Sequence, residues 1–298
     1  MRTQKRFTAK LLERYLREGR GTGTFQDYVP WHRVSRSDPS SLGRSHLMVY
    51  RKRQLELLSD GEWTGSHFVT MLPNISDLTE QRKLALDDGP HELAAYDVRY
   101  AGLTVPGTLS IARQLGIRHP ILPGDKLKSS WVMTTDQVLL SRSPDGKLEL
   151  LAISYKPRRR ALTKRDLQKF TIERAYWGAR SCECLLITPD LYEKSVALTL
   201  RRVAPWGLGS PVTSDEITAA TEVVLRTLGH SYTYTWQALT KVLGSDETAQ
   251  RAIWQAVWAG ALPIDLRRGW RPHLPIDLLN KEDFIALNPV ASRRSSWA

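Results

Sequence analysis

Between Met133 and Pro157 the chain reads MTTDQVLLSRSPDGKLELLAISYKP. No other stretch restricts the fold as much. Two apolar segments flank a Pro-Asp-Gly turn, the pattern of a β-hairpin. Thr163-x-x-Asp166 then opens an amphipathic helix with Leu167, Phe170 and Trp177 on one face, and CLLIT is a short buried strand. A hairpin, a helix and a buried strand in succession predict an α/β core, a mixed sheet flanked by helices.

The elements before the hairpin extend that pattern. A helix over about Phe7 to Glu18 carries Leu11, Leu12, Tyr15 and Leu16 at helical spacing. GRGTG (Gly19 to Gly23) ends it. This run neither follows a strand nor opens a helix, so it is no dinucleotide fingerprint and reads as a flexible basic loop. RSHLMVYRKRQLELLSDGEW predicts strands over about Ser45 to Tyr50 and Gln54 to Leu58, then a helix capped by Ser59 and running towards Leu72. ISDLTEQRKL is extended. Ala85 to Pro106 is irregular and has the look of an insertion, and TLSIARQLGIRHP is a short helix stopped by Gly116 and Pro120.

RRVAPWGLGSPVTSDE marks the domain boundary, which divides the chain into residues 1–203 and 204–298. Beyond it, helices start at Thr213-x-x-Glu216, in YTWQALTKVLG and after Ser245. LPIDLRRGWRPHLPI then alternates around an Arg-Gly turn. Three helices and a hairpin predict a winged helix, followed by a flexible basic tail, NPVASRRSSWA. Asp246 and Glu247 open the third helix where a recognition helix would meet DNA, and carboxylates there repel phosphates. Protein docking is therefore the expected role of this domain, with Arg267, Arg268 and Arg271 on the wing. Trp254 and Trp258, four apart on the third helix, are either core or an exposed partner patch.

Lys plus Arg number 43 and Asp plus Glu 31, a formal charge of +12. That surplus favours a polyanionic partner. No apolar run is long enough to span a membrane, and the charged N-terminus lacks a signal core. Cys182 and Cys184, the two cysteines of the chain, lie two apart on a strand, face one side and do not pair. They form neither a disulfide framework nor a zinc site, so a reducing cytoplasm is expected. The histidines show no ligand spacing; His46, His119 and His230 stand alone and are expected to pack or lie at the surface.

Residues two apart on a strand share a face, so Ser154 and Lys156 point one way. A hairpin brings Asp136, eighteen positions before Ser154, beside them. An Asp followed by a strand ending acidic-x-Lys is the arrangement of PD-(D/E)xK nucleases. Phosphodiester hydrolysis uses a divalent metal, which carboxylate oxygens hold, and a Lys that offsets charge in the transition state. Here the second acidic position is Ser154, on the wet side of the strand, and Glu149 faces away. Taken alone, the pattern also fits an exposed hairpin. Glu62 can supply a second carboxylate, yet Ser59-Asp60-Gly61-Glu62 equally reads as a capping box. The stretch KPRRRALTKRDLQK adds Arg158, Arg159, Arg160, Lys164 and Arg165 as phosphate contacts. Arg20 in GRGTG and Arg51, Lys52 and Arg53 in YRKRQ are weaker candidates.

EGRGTGTFQDYVPW, SSLGRSHLMVY, LLSDGEW, GIRHP, MTTD, AISYKP and ERAYW resemble, in order and context, the TnsA family, the endonuclease subunit of Tn-seven-type heteromeric transposases. The resemblance covers roughly residues 10 to 200 apart from the inserted stretch, and is weaker beyond. It implies a restriction-endonuclease-like domain over 1–203. It further implies a Mg²⁺- (or Mn²⁺-) dependent endonuclease that cuts the 5′, non-transferred strands at transposon ends with metal-activated water. The implied catalytic set is Glu62, Asp136, Ser154 and Lys156, with Ser154 where the family carries Gln. The implied metal ligands are Glu62, Asp136 and the Tyr155 carbonyl. Double-stranded DNA, a TnsB-like transposase and a TnsC-like ATP-dependent regulator are the implied partners, in a bacterial, nucleoid-associated setting. A non-catalytic DNA-binding or assembly subunit and a free-standing restriction-type endonuclease are the alternatives.

Overall fold

The computed structural model describes residues 7–35, 44–122, 129–143, 145–157 and 162–297. They form two compact units, one of Met1–Trp63, Asn74–Thr188 and Ser296–Ala298, the other of Thr64–Pro73 and Pro189–Ser295.

In the first unit, helix α1 (Ala9–Arg17) starts at Thr8, whose hydroxyl accepts the Leu11 amide. The GRGTG run behind it is not the flexible loop expected. Gly19, Gly21 and Gly23 all have positive φ, and a Cβ on Gly23 would lie 2.4 Å from the Asp27 carbonyl oxygen. Glycine takes this backbone without a steric penalty, so these glycines fold the loop tightly. A hairpin follows, β1 (His46–Tyr50) and β2 (Arg53–Leu57). Arg51 and Lys52 at its tip have φ of 48° and 68°, the left-handed pair that a two-residue hairpin turn requires. Ser59 then caps α2 (Asp60–Thr70).

The central sheet has the order β3-β6-β7-β8, with β3 (Ile75–Lys83), β6 (Thr134–Arg142), β7 (Leu148–Tyr155) and β8 (Glu183–Ile187). The first three are antiparallel and β8 runs parallel to β7. A parallel neighbour demands a crossover, which α4 (Lys164–Gly178) provides behind a Thr163/Asp166 capping box. The stretch from Ala85 to Pro106 contains the two-residue strands β4 (Gly89–Pro90) and β5 (Thr104–Val105), and α3 (Thr108–Gln114) follows. Buried Arg180 fastens this segment to the core by bonding Glu92 and the Pro106 carbonyl.

Leu167 is exposed. The stripe that α4 buries is Phe170, Ile172, Glu173, Tyr176 and Trp177, so an acid lies where the amphipathic pattern predicts only apolar side chains. Ile172, Tyr176 and Trp177 pack on Val138 and Ala152 of the sheet with Cys182 and Cys184, both free thiols.

The second unit contains α5 (Lys194–Gly207), α6 (Ser214–Arg226), α7 (Tyr232–Leu243), α8 (Asp246–Trp258) and α9 (Lys281–Ala286). The division falls at Thr188/Pro189 and not at 203/204. Helix α5 runs through Pro205 and buries Val196, Ala197, Leu200 and Val203 within this unit. The three helices expected for a winged helix are present as α6 to α8, and Trp254 and Trp258 are core. The expected wing is not a regular hairpin. Its arms meet through the Ile264–Leu278 bridge, and a 3₁₀ turn, Leu266–Arg268, follows directly in the first arm. Arg267 and Arg268 there bond Asp265 and Asp277. The tail is ordered through Trp297, because Val290 is buried and Asn288 donates to the Phe68 carbonyl at 2.8 Å.

Strand β2 is tied to β3 by charge. Arg53 donates to both carboxylate oxygens of Glu80, at 2.9 and 2.6 Å, and the Glu80 side chain is fully buried. Arg53 is thus a structural cation and leaves the set of phosphate contacts. Removing one partner of a buried pair leaves the other charge stranded, typically at about 3–5 kcal/mol. Arg53→Met is expected to lower folding stability by that order in denaturant titrations, while the folded fraction binds duplex DNA as wild type does at matched salt.

Candidate active site

The register of β6 and β7, with Gln137 opposite Ile153, sets Asp136 against Ser154. The Tyr155 amide donates to Asp136 Oδ2 at 2.7 Å and Lys156 Nζ reaches the same oxygen at 3.1 Å. Neither bond uses Oδ1. The Tyr155 hydroxyl belongs to the other face of the sheet, where it donates to Gln137 Oε1 at 2.9 Å. Lys156 is held charged above its ordinary pKa. Burial opposes its charge, but Asp136, Glu173 and Glu62 outweigh that cost.

Glu62 is buried at the first turn of α2, where it completes the cap. Its amide donates to Ser59 Oγ at 3.1 Å, and that hydroxyl donates to Glu62 Oε1 at 3.1 Å. Oε2 accepts the Leu58 amide at 2.8 Å, one residue before the cap, and Gln81 Nε2 at 3.0 Å. Burial, reinforced by repulsion from Asp136, pushes the carboxyl well above the usual carboxylate range. The two acids are therefore within electrostatic reach of each other, and Lys156 alone does not neutralise both.

Ser154 does not face water as expected. It is 1% exposed, and its hydroxyl donates to Glu173 Oε1 at 2.6 Å. Thr135 Oγ1 donates to the same oxygen at 2.6 Å and accepts from Trp177 Nε1 at 2.8 Å. Glu173 is absent from the set expected from the sequence. It stands three residues after Phe170 and four before Trp177, and that position on the apolar stripe is the signal for a buried acid. Gln81, which reaches Glu62, had no comparable signal.

Among the described residues no group of three or more His, Cys, Asp and Glu side chains could hold a metal ion. Mg²⁺ does not need such a group: one or two carboxylates suffice, with waters and substrate phosphate completing the octahedron. Glu62 and Asp136, with an oxygen of Asp136 left over, fit that requirement, and the burial and repulsion that raise the Glu62 pKa are what a divalent cation would offset.

The expected phosphate contacts fare unevenly. Arg20 is buried, bonded to Glu18 and stacked over the Tyr15 ring, so it leaves the set. Arg51 donates to the Ser76 carbonyl and that of Ile75. Lys52 and Lys164 are exposed, and Arg165 bonds Gln168 at 3.0 Å. Arg158, Arg159 and Arg160 lie outside the described residues. His46 packs against Trp63 and bonds Asp60 at 2.7 Å.

Residues 94–188, which carry Asp136, Ser154, Lys156 and Glu173, match the TnsA-like endonuclease N-terminal domain. The match places a TnsA-like endonuclease domain over these residues. The chain is also 30% identical over 226 residues to the Escherichia coli protein named Transposon Tn7 transposition protein TnsA, an alignment spanning 75% of this chain and 71% of that one. The chain belongs to the TnsA family. Among the described residues no helix is long and apolar enough to cross a membrane.

Glu173 sets a pH dependence. Burial raises its pKa from 4.5 to about 7. An acid whose pKa rises on folding favours the fold when protonated, so its contribution is complete below 4.5 and is lost as pH climbs through about 7. Glu173→Gln keeps an acceptor for Thr135 and Ser154 without that loss. The variant is expected to gain stability over wild type progressively across this window, by up to roughly 3 kcal/mol above it, as read from denaturation midpoints measured from pH 4.5 to 8.

Proposed function

We propose that this chain is the divalent-metal-dependent endonuclease subunit of a cut-and-paste transposase, cutting the 5′, non-transferred strands at the transposon ends. The observation that carries the reading is the convergence of the Tyr155 amide and Lys156 on one oxygen of Asp136, with buried Glu62 in electrostatic reach. Family membership supports it independently.

Each residue has a separate task. The Tyr155 amide and Lys156 fix the Asp136 carboxylate. Glu62, held by Leu58, Ser59 and Gln81, supplies the second carboxylate, and the Tyr155 carbonyl is the third ligand we assign. A bound Mg²⁺ supplies Lewis-acid polarisation of the phosphate and lowers the pKa of the attacking water. Lys156, kept charged by its acidic neighbours, offsets the negative charge that grows on the phosphate oxygens. Ser154 holds Glu173 instead of reaching the reaction centre, so its role is support. Lys52 and Lys164, with the arginines after Pro157, bring the duplex backbone to the site. The second unit docks a TnsC-like regulator, and a TnsB-like transposase acts on the 3′ strands.

Nicking of a supercoiled plasmid bearing the element ends, with and without a TnsB-like partner, tests this. Asp136→Ala and Lys156→Ala are each expected to abolish cutting in a chain that still folds, with a lowered unfolding midpoint because each leaves a buried partner unpaired, and Ser154→Ala is expected to reduce cutting far less. The isolated chain is expected to bind duplex DNA weakly, with a steep salt dependence and little sequence preference. Cutting at defined ends without any partner favours a free-standing restriction enzyme. Full transposition by Asp136→Ala would favour a non-catalytic assembly subunit.

A further inference from the structure

We infer that Gln81 is a positioning residue for Glu62, held in that role by the segment Tyr28–Trp31; the inference rests on the metal-dependent reading above. Gln81 is the exception in its strand. Recorded pairs between β3 and β6 run from Leu78–Leu139 through Glu80–Gln137 and resume at Arg82–Thr135. Gln81, which that register sets opposite Asp136, makes no ladder pair. Its φ is +47°, left-handed, although it is neither glycine nor asparagine and is only 2% exposed. Such a conformation persists only where the surroundings impose it, and it concentrates at functional sites.

What imposes it lies on the outer side of β3. The Gln81 carbonyl accepts the Trp31 amide at 3.2 Å, and the Tyr28 hydroxyl is shared between it, at 3.3 Å, and the Glu80 carbonyl, at 3.0 Å. Both donors are anchored, since Trp31 is fully buried and Tyr28 nearly so. The side chain of Gln81 donates its amide to Glu62 Oε2 at 3.0 Å. Left-handed backbone, carbonyl and side chain thus link the N-terminal segment to the carboxylate of α2.

The residue type suits the task. A cation at position 81 would fix Glu62 equally well, but it would cancel the charge that a divalent ion needs. A neutral amide donor orients one carboxylate oxygen and leaves the net charge in place. Partners that orient a metal-binding side chain typically govern affinity by about 10- to 100-fold.

The test is a Mn²⁺-binding isotherm on the full-length chain, read from the free-ion EPR signal, alongside thermal unfolding and plasmid nicking. Gln81→Met keeps the length and the backbone requirement and removes only the donor. It is expected to weaken Mn²⁺ binding about 10-fold or more with the unfolding midpoint near wild type. In a Glu62→Ala background the same change is expected to weaken binding no further, because its partner is gone. If Gln81→Met does not fold, Gln81→Asn replaces it: asparagine tolerates left-handed backbone, and its amide stops one methylene short of Glu62, so the same loss is expected. Unchanged Mn²⁺ affinity in these variants, or an equal loss in the Glu62→Ala background, overturns the inference while Asp136→Ala still abolishes binding. A wild-type chain that binds no Mn²⁺ overturns the metal-dependent reading itself, and the inference with it.

Discussion

One carboxylate oxygen organises the nuclease unit. Asp136 Oδ2 takes both the Tyr155 amide and the Lys156 ammonium, and these bonds lock the end of β7 to β6 where the hairpin opens. They place a cation, held charged by its neighbours, against an acid in partly dehydrated surroundings, where electrostatic interactions are strongest. Glu62 and Glu173 are the further acids around that cation, and each is raised in pKa by burial. Every buried acid nearby carries the penalty of burial, and hydrogen-bond donors offset it: backbone amides at Tyr155 and Leu58, hydroxyls at Ser59, Ser154 and Thr135, and the amide of Gln81.

Most of the sheet was legible because its elements carry local signals. The Pro-Asp-Gly turn fixes the β6–β7 hairpin, period-two alternation sets Ser154 and Lys156 on one face, and capping pairs announce α2 and α4. The same alternation gave the pairing of Asp136 with Ser154. What escaped depends on burial. Ser154 reads as a solvent-facing position until α4 covers it, and Glu173, which shares the apolar stripe of α4, was not among the expected site residues. Gln81 escaped for another reason: nothing local marks a left-handed residue inside a strand, and its carbonyl is held from some fifty positions away, by the Trp31 amide. The glycines of GRGTG misled in the opposite sense, since composition suggests looseness where positive φ values supply a tight fold. In the second unit the helices were legible from caps and periodicity. The wing was not, because Asp265 and Asp277 draw its arginines into local ion pairs that a turn, not a strand pair, accommodates.

Ser154 and Glu173 belong together. A long polar side chain at position 154 would have to share a closed space with a carboxylate already bonded by Thr135. A short hydroxyl fits and adds a donor. The change at that position is therefore part of a small polar network running Trp177, Thr135, Glu173, Ser154, inside which any replacement must satisfy a buried acid before it can address substrate.

The outer strands of the sheet share a property with consequences for assembly. At one margin β3 gives its Gln81 carbonyl to Trp31; at the other, β8 gives its Leu186 carbonyl to the Ser296 amide, with Trp297 edge-on to Phe170. Each of these two carbonyls is a group that a visiting strand would seek. Strand addition is a common way for one protein to recruit another, and an open margin also invites self-association. At these two carbonyls a visitor would compete with a piece of the chain itself. At the β8 margin that piece is the segment around Ser296 and Trp297, so a strand added there would have to compete with it for the Leu186 carbonyl.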